Sequence, residues 1–402
     1  MLSATATLPP THVPPQPSAV SWAQARVLAH GAAQPSPART VPLCDAAGLT
    51  LAGDLCTLRP LPAFDTAAMD GYAVAGLGPW HVRAALRAGG VWEDTLDAGE
   101  CVEISTGAHV PAGACAVLPL ESAVAGDDGR VAGPLPPPGR HIRKTGEDAP
   151  AGHCLAPAGT RIGPALLGLA ASCGHDTLAV VPRPRVGALV TGDELDPAGL
   201  PRPGRVRDAL GPALPTLISE LGGESCGVRH VPDQPTRRLA AAVHERQDVD
   251  VVVVTGSTSI GTTDQLRRLL DDAGARMVVD SVACRPGHPM LLAELADNRW
   301  VVGLPGNPYA ALVAAHTLLG PLIAGLSGRA SAPLPHVPVR GRVRPAPGPT
   351  RLVPVTWNGS EARIADGHGA AFLQGAGVGD ALAAITPGWT DGTPAPLILT
   401  PG

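Results

Sequence analysis

Lysine is almost absent from this 402-residue sequence: Lys144 is the single one among 30 basic residues. An arginine where another protein has lysine therefore carries little information. A broad cationic surface is missing too. The formal net charge is −5, which excludes a nucleic-acid partner bound through an extended basic face, so any basic site must be local. The eight cysteines, at 44, 56, 101, 115, 154, 173, 226 and 284, contain no C-x-x-C pair. That sets aside a zinc ribbon and a dithiol motif, and a disulfide framework is not expected at this length. The cysteines read as reduced, mostly buried thiols of a cytoplasmic protein. The start, MLSATATLPPTHVPPQPSAV, has neither the basic nor the apolar region of a secretory signal, and its proline and serine predict a disordered extension over 1–20. Long apolar runs are missing with one exception. YAALVAAHTLLGPLIAGL (309–326) is almost long enough to cross a bilayer. It follows a strand and a Gly-Asn-Pro turn and contains His316 and Pro321, so it reads as a buried crossover helix, with no membrane partner.

What is present is core-forming. Hydrophobic residues make up 45% and charged residues 16% of the chain, enough for two to four domains. From 184 to 328 an apolar run, a polar turn and a helical stretch alternate. RVGALVTG, SCGVRHV, DVVVVTG, RMVVDSVA, MLLAELA and RWVVGLPGNP read as strands. DALGPALPTLISELGG, QPTRRLAAAVHERQ and TTDQLRRLLDDAG read as helices. Asp208 and Asp233 suit the starts of the first two helices, and Gly222 with Gly223 suits the end of the first. This alternation predicts a parallel sheet covered on both faces, with ligands at the carboxyl ends of its strands. Before it, WAQARVLAHG (22–31) predicts an amphipathic helix, and the short runs over 41–140 predict a β-rich lobe. After 330, HVPVRGRVRP, TRLVPVTWN and APLILTP predict a small β-barrel or sandwich.

Candidate chemistry gathers at the predicted strand ends. Asp193, Glu194, Asp208, Asp233 and Asp264 all fall there. Each of Asp208, Asp233 and Asp264 alone suits a helix cap; together at one edge such carboxylates suit Mg2+, which also binds substrate phosphates. STSIGTTD (257–264) offers hydroxyls and helix-start amides around Gly261, a phosphate cradle or an ordinary turn of small residues. LPGNP, with Pro305 and Pro308, is a stiff turn before a helix. In CRPGHPM (284–290), Pro286 and Pro289 stiffen a corner that carries Arg285 and His288, with Gly287 between them. Arginine grips an oxyanion with two hydrogen bonds, whereas an imidazole is cationic only part of the time near neutral pH. The corner reads as a solvated turn or, beside a metal site, as a grip for an anionic substrate.

Seven segments in order, FDTAAMDGYAV (64–74), ISTGAHVPAGACAVLPLE (104–121), IRKTGEDAPAG (142–152), PRVGALVTGDEL (184–195), GSTSIGTTD (256–264), CRPGHP (284–289) and GLPGNP (303–308), resemble the molybdopterin molybdenumtransferases. These are MoeA-type proteins related to the E domain of gephyrin. The similarity spans about 21–328. It implies a multidomain α/β plus β homodimer: an elongated helical and β linker domain (21–45 and 141–182), a β-rich lobe (46–140), a central parallel-sheet molybdopterin-binding domain (183–329) and a C-terminal β-barrel (330–402). It implies Mg2+-dependent insertion of molybdate into adenylylated molybdopterin, with release of AMP. It also implies a site in which Asp70, Thr106 and Asp148 of one chain meet Glu194, Asp233 and Asp264, the metal ligands, of the other. Ser259, Gly261, Arg285, His288, Pro305 and Pro308 would line the substrate.

The chain departs from the family's pattern in places. Where the family has K-P-G-K-P, this chain has Arg285 to Pro289, so His288 replaces a lysine. Tyr309 and Ala310 follow GNP without the usual serine. Ala67, Cys115 and GSTSIG replace serine, an acid and GGVSVG, and DGHGAAFLQGAG (366–377) lacks a clear serine motif. The losses fall on the oxyanion side, which leaves a second reading: a diverged paralogue that binds molybdopterin or a partner protein without catalysing insertion.

Overall fold

The computed structural model describes residues 19–235, 237–258, 265–343 and 348–400. The chain forms two compact units, 38–180 and a second made of the residues up to 37 together with 181–402.

The first unit is built on short strands. A three-stranded sheet joins Arg39–Pro42, Thr177–Val181 and Thr50–Leu51. The chain leaves this base through Leu55–Cys56 and returns through Cys154–Ala156, and those two strands pair antiparallel. Between them lies a lobe whose six-stranded sheet runs in the order Val124–Ala125, Arg130–Ala132, Trp80–Leu86, Glu100–Ile104, Gly71–Val74 and Ala116–Pro119. Its faces carry separate apolar clusters. Ala73 and Val102 pack on one side, Val74 and Cys101 on the other, as a two-residue period requires. Gly71 has no substitute here: a Cβ at that position would lie 2.0 Å from the Leu118 carbonyl oxygen.

The second unit holds a six-stranded sheet in the order Glu224–Val231, Arg185–Thr191, Val251–Thr255, Trp300–Leu304, Leu291–Glu294 and Arg276–Val279. The run VVVVT is buried on both faces. Val251 and Val253 enter one core, Val252 and Val254 the other. The expectation of a parallel sheet holds for the first four strands and is corrected for the last two, which are antiparallel. The reason is the connection. Leu291–Glu294 and Trp300–Leu304 are joined by a turn closed by Leu295 N–H on the Arg299 carbonyl, with Asn298 at φ 65°. A parallel neighbour needs a crossover of a dozen residues or so. Val282–Arg285 leaves this sheet altogether. It pairs with Val20–Ser21 and with Thr350–Trp357 of the C-terminal part.

That C-terminal part is a closed five-stranded barrel. Thr350–Trp357, Ala362–Ile364, His336–Arg340, Pro394–Leu399 and Ala381–Ile385 pair in succession, and the last returns to the first. Val353, Val355, Ala383 and Leu397 fill it. The Pro308–Leu326 helix has the length and hydropathy to cross a membrane, but 78% of its most apolar window is buried inside the protein. It is a core helix, with a π-helical turn at Ala315–Leu319 just before Pro321, whose ring cannot donate to the ladder. Trp22 of the Trp22–Ala32 helix donates to Thr317 Oγ1 at 3.1 Å, and Arg26 donates to the His316 carbonyl. Burial, and then the charge of Arg26, hold the His316 imidazole down to about 4 and therefore neutral.

Candidate functional site

In the second unit the polar strand ends are braced by side chains far apart in sequence. Asp193, just past Arg185–Thr191, donates its N–H to Asp233 Oδ2 at 3.0 Å, and Asp233 returns its own N–H to Asp193 Oδ1 at 3.2 Å. This reciprocal pair locks two neighbouring strand tips. Asp233 is thus half-buried and engaged with Asp193 rather than free to cap the following helix. Gln265 holds it from the other side, donating to its carbonyl at 3.2 Å. Glu194 is exposed, and its carboxylate folds over Gly192, where an added Cβ would meet it at 2.9 Å.

The excursion that carries Asp193 and Glu194 closes on buried Asp196. Arg202 and Arg205 donate to its Oδ1 at 2.7 and 2.6 Å, and Arg205 also reaches the Asp193 and Leu195 carbonyls. Arg202 first, then Arg205, hold the Asp196 carboxyl well below the usual carboxylate range. Neither Asp196 nor these arginines stood out in the sequence, because six and nine residues of irregular chain separate them. Asp208 does cap its helix. Oδ1 accepts from Leu210 and Gly211 N–H at 2.9 Å each, and His230 holds Oδ2 at 2.7 Å.

The next strand tip presents hydroxyls. Thr191 Oγ1 donates to the Thr255 carbonyl at 2.9 Å and lies 3.1 Å from Ser257 Oγ. Gly256 takes φ 78°, and a Cβ there would strike Thr191 Oγ1 at 2.6 Å. Ser259, Gly261 and Asp264 lie outside the described residues. The Pro305–Pro308 turn comes close to this loop: an added Cβ on Gly306 would sit 3.6 Å from Gly256 Cα. Pro305 is buried and Pro308 half-buried.

The cationic corner joins this surface through Arg267 of the Gln265–Asp272 helix. Its guanidinium donates to the Thr258 carbonyl at 2.9 Å, to the Pro289 carbonyl at 3.3 Å and to Asp280. One side chain therefore spans the hydroxyl loop and the corner. Gly287 packs on the long core helix with φ 102°, where an added Cβ would lie 3.3 Å from the Ala310 carbonyl oxygen. Arg285 and His288 are both exposed. His288 Nδ1 is 2.7 Å from the Val282 carbonyl, an obligate acceptor, so Nδ1 carries the proton and Nε2 faces outward. Arg285 pairs in register with Arg351 of the barrel, placing two arginine positions side by side. That neighbour was invisible in the sequence. Ala310 N–H donates to the Ala370 carbonyl at 3.1 Å, so the 366–377 segment covers the position where serine was missing.

In the first unit, Asp70 and Thr106 are brought together. Thr106 donates to Asp70 Oδ1 through its N–H at 2.7 Å and its hydroxyl at 2.9 Å, and these bonds hold the Asp70 carboxyl below its ordinary value. Asp148 is exposed on the neighbouring loop, with its N–H on the Leu61 carbonyl. A network that sequence reading missed ties these loops. Asp65 accepts from Lys144 Nζ at 2.7 Å and from Thr145 N–H at 2.8 Å. Ala67 is fully buried between the 105–108 turn and its partner Ile142.

Whether Mg2+ suits the strand tips is a question of donors. Those at 193, 194 and 233 are all carboxylate oxygens, and Asp233 Oδ1 makes no hydrogen bond among the described residues. Among the described residues, no three His, Cys, Asp or Glu side chains group as a metal cage. One or two carboxylates with room for water and phosphate is the usual arrangement for Mg2+.

Comparison with known proteins is consistent along the chain. Residues 19–174 match the family described as the MoeA N-terminal region (domain I and II), and residues 187–325 match a probable molybdopterin binding domain. Molybdopterin molybdenumtransferase 2 of Mycobacterium tuberculosis is 33% identical over 313 residues, covering 74% of this chain and 77% of that protein. The molybdopterin molybdenumtransferase of Haemophilus influenzae is 32% identical over 295 residues, covering 71% of this chain and 72% of that protein. A crystal structure of a molybdopterin biosynthesis MoeA protein from Pyrococcus horikoshii superposes with a TM-score of 0.75 at 25% identity, over 96% of this chain and all of that one.

Proposed function

The chain belongs to the molybdopterin molybdenumtransferase family, enzymes of molybdenum cofactor biosynthesis, and on that premise we propose that it inserts molybdate into adenylylated molybdopterin with release of AMP, using Mg2+ as a homodimer. The observation that carries this reading is the link made by Arg267, which holds the hydroxyl loop and the cationic corner on one surface. Glu194, Asp233 and Asp264 would hold Mg2+, which supplies charge neutralisation at the phosphoryl oxygens when bound. Ser259, Gly261 and the Pro305–Pro308 backbone would cradle the phosphates, as helix-start amides and hydroxyls do. Arg285 would grip molybdate, with Arg351 adding positive charge beside it. The reciprocal Asp193–Asp233 bonds keep the metal-side acids in place before substrate arrives, so little reorganisation is left for the reaction. Asp70, Thr106 and Asp148 would complete the site from a second copy of the chain, with Thr106 fixing the orientation of a carboxylate that stays ionised.

The full-length protein given adenylylated molybdopterin, Mg2+ and molybdate should release AMP. Asp264→Asn should slow that release by about a hundredfold or more. Intact pterin binding with no AMP release at any molybdate concentration would instead support the non-catalytic paralogue, the reading favoured by the outward Nε2 of His288.

A further inference from the structure

We propose that Cys56 and Cys154 form a cross-strand dithiol that a peroxide-class oxidant closes to an intramolecular disulfide. The inference stands on the geometry of the 38–180 unit alone and does not depend on the transferase reading. The two cysteines are direct partners where Leu55–Cys56 pairs antiparallel with Cys154–Ala156. The neighbouring bond, Thr57 N–H on the His153 carbonyl at 2.9 Å, marks Cys56 and Cys154 as a non-hydrogen-bonded pair. Consistently, the Cys56 carbonyl is taken by His175 Nε2 at 2.8 Å. In such pairs the Cα atoms stand about 4.5 Å apart and the side chains project to one face, within the roughly 4.4–6.8 Å that a disulfide spans. No other two cysteines occupy partner positions in the described ladders.

Access is right as well. Cys154 is exposed and Cys56 half-buried, whereas Cys101, Cys173 and Cys284 are buried. Desolvation, then Asp54 and Cys56, push the Cys154 thiol above its ordinary value, so it reacts through a minor thiolate fraction and the closure is slow. In the reaction the Cys154 thiolate attacks a peroxide oxygen and becomes a sulfenic acid, releasing water. The Cys56 sulfur then displaces the sulfenic hydroxyl as a second water, forming the S–S bond. Two thiols and one peroxide thus give one disulfide and two waters, the sulfurs losing the two electrons that reduce the O–O bond. The bond would form at the neck of the lobe, where the chain enters and leaves the region carrying Asp70, Thr106 and Asp148.

The test uses the full chain, freed of reductant, exposed to equimolar hydrogen peroxide, then denatured and alkylated. The expected result is the loss of two of the eight alkylatable thiols and a peptide joining Cys56 to Cys154, both reversed by a dithiol reductant. Amide exchange at 55–57 and 153–156 should slow in the oxidised form. In Cys154→Ser, Cys56 should stay alkylatable after peroxide. Oxidation of exposed Cys44 with Cys56 and Cys154 still alkylated, or a Cys154 link to a second copy, overturns the proposal. The peptide map of the unsubstituted chain decides the matter whether or not the serine variant folds.

Discussion

The acidic strand tips and the cationic corner, two parts of the proposed site, are built in opposite ways. At the tips, side chains do the bracing: Asp193 and Asp233 hold each other across 40 residues of sequence, and Arg205 ties Asp196 to the Asp193 and Leu195 carbonyls. At the corner, the backbone does most of it. Gly287 sits at φ 102° against the core helix, Val282 N–H closes on the His288 carbonyl, His288 Nδ1 returns a bond to the Val282 carbonyl, and Arg285 extends from that frame into solvent. A network of side chains can lose one member and weaken by degrees. A backbone corner tolerates any outward side chain and almost no change in its own path.

The largest expected effect therefore belongs to the corner's backbone. Gly287→Ala puts a Cβ 2.9 Å from Met290 Cε and 3.3 Å from the Ala310 carbonyl oxygen, at a φ that L-residues resist. Met290 can swing aside; the carbonyl cannot. A loss of about 2 kcal/mol is expected in urea unfolding. A change below about 0.5 kcal/mol, the ordinary scatter of surface substitutions, would mean the corner is not backbone-built.

Arg205→Ala tests the other side of the comparison. It removes bonds to Asp196 and to two carbonyls that shape the Asp193–Glu194 excursion, but leaves Arg202 on Asp196. The fold should survive, while the Mg2+ concentration for half-maximal AMP release should rise about tenfold, the usual scale for a residue supporting metal ligands. The acid response should change too. Because Asp196 is depressed in the folded state, its contribution is present above the ordinary carboxylate value and is lost as pH falls through the folded one. Removing one of its cations should shift acid unfolding to higher pH. An unaltered Mg2+ requirement would show that the tips do not depend on this brace.

The same contrast explains what was legible in the sequence. The four parallel strands, the Asp208 cap and the Gly287 corner each announce themselves locally, through an apolar run, a capping residue or proline and glycine in series. The antiparallel direction of Leu291–Glu294 did not, since a buried apolar strand reads alike in either sense until its turn is recognised. Nor did the departure of Val282–Arg285 to the barrel, which sets Arg285 beside Arg351. The Asp193–Asp233 bridge and the Asp65–Lys144–Thr145 network join residues 40 and about 80 positions apart, beyond any periodicity or motif. The cross-strand cysteines escaped for the same reason, their spacing having meaning only once the two strands pair.

The smallest effect, and the finest probe of the corner, is His288→Lys. With Nδ1 donating to the Val282 carbonyl, a neutral His288 turns the Nε2 lone pair toward solvent, where an oxyanion would meet an acceptor. Only the imidazolium offers a donor there. Lysine offers one at every working pH from a side chain the exposed corner can accommodate. An exposed charge is worth at most about 1 kcal/mol, so the molybdate concentration for half-maximal AMP release should fall by roughly fivefold or less. Urea stability should fall by no more than about 1 kcal/mol, the scale of the lost Nδ1 bond to the Val282 carbonyl, because the rest of the frame is backbone. An unchanged molybdate requirement would place the oxyanion elsewhere, and a large loss of stability would show that the corner is held by its side chains after all.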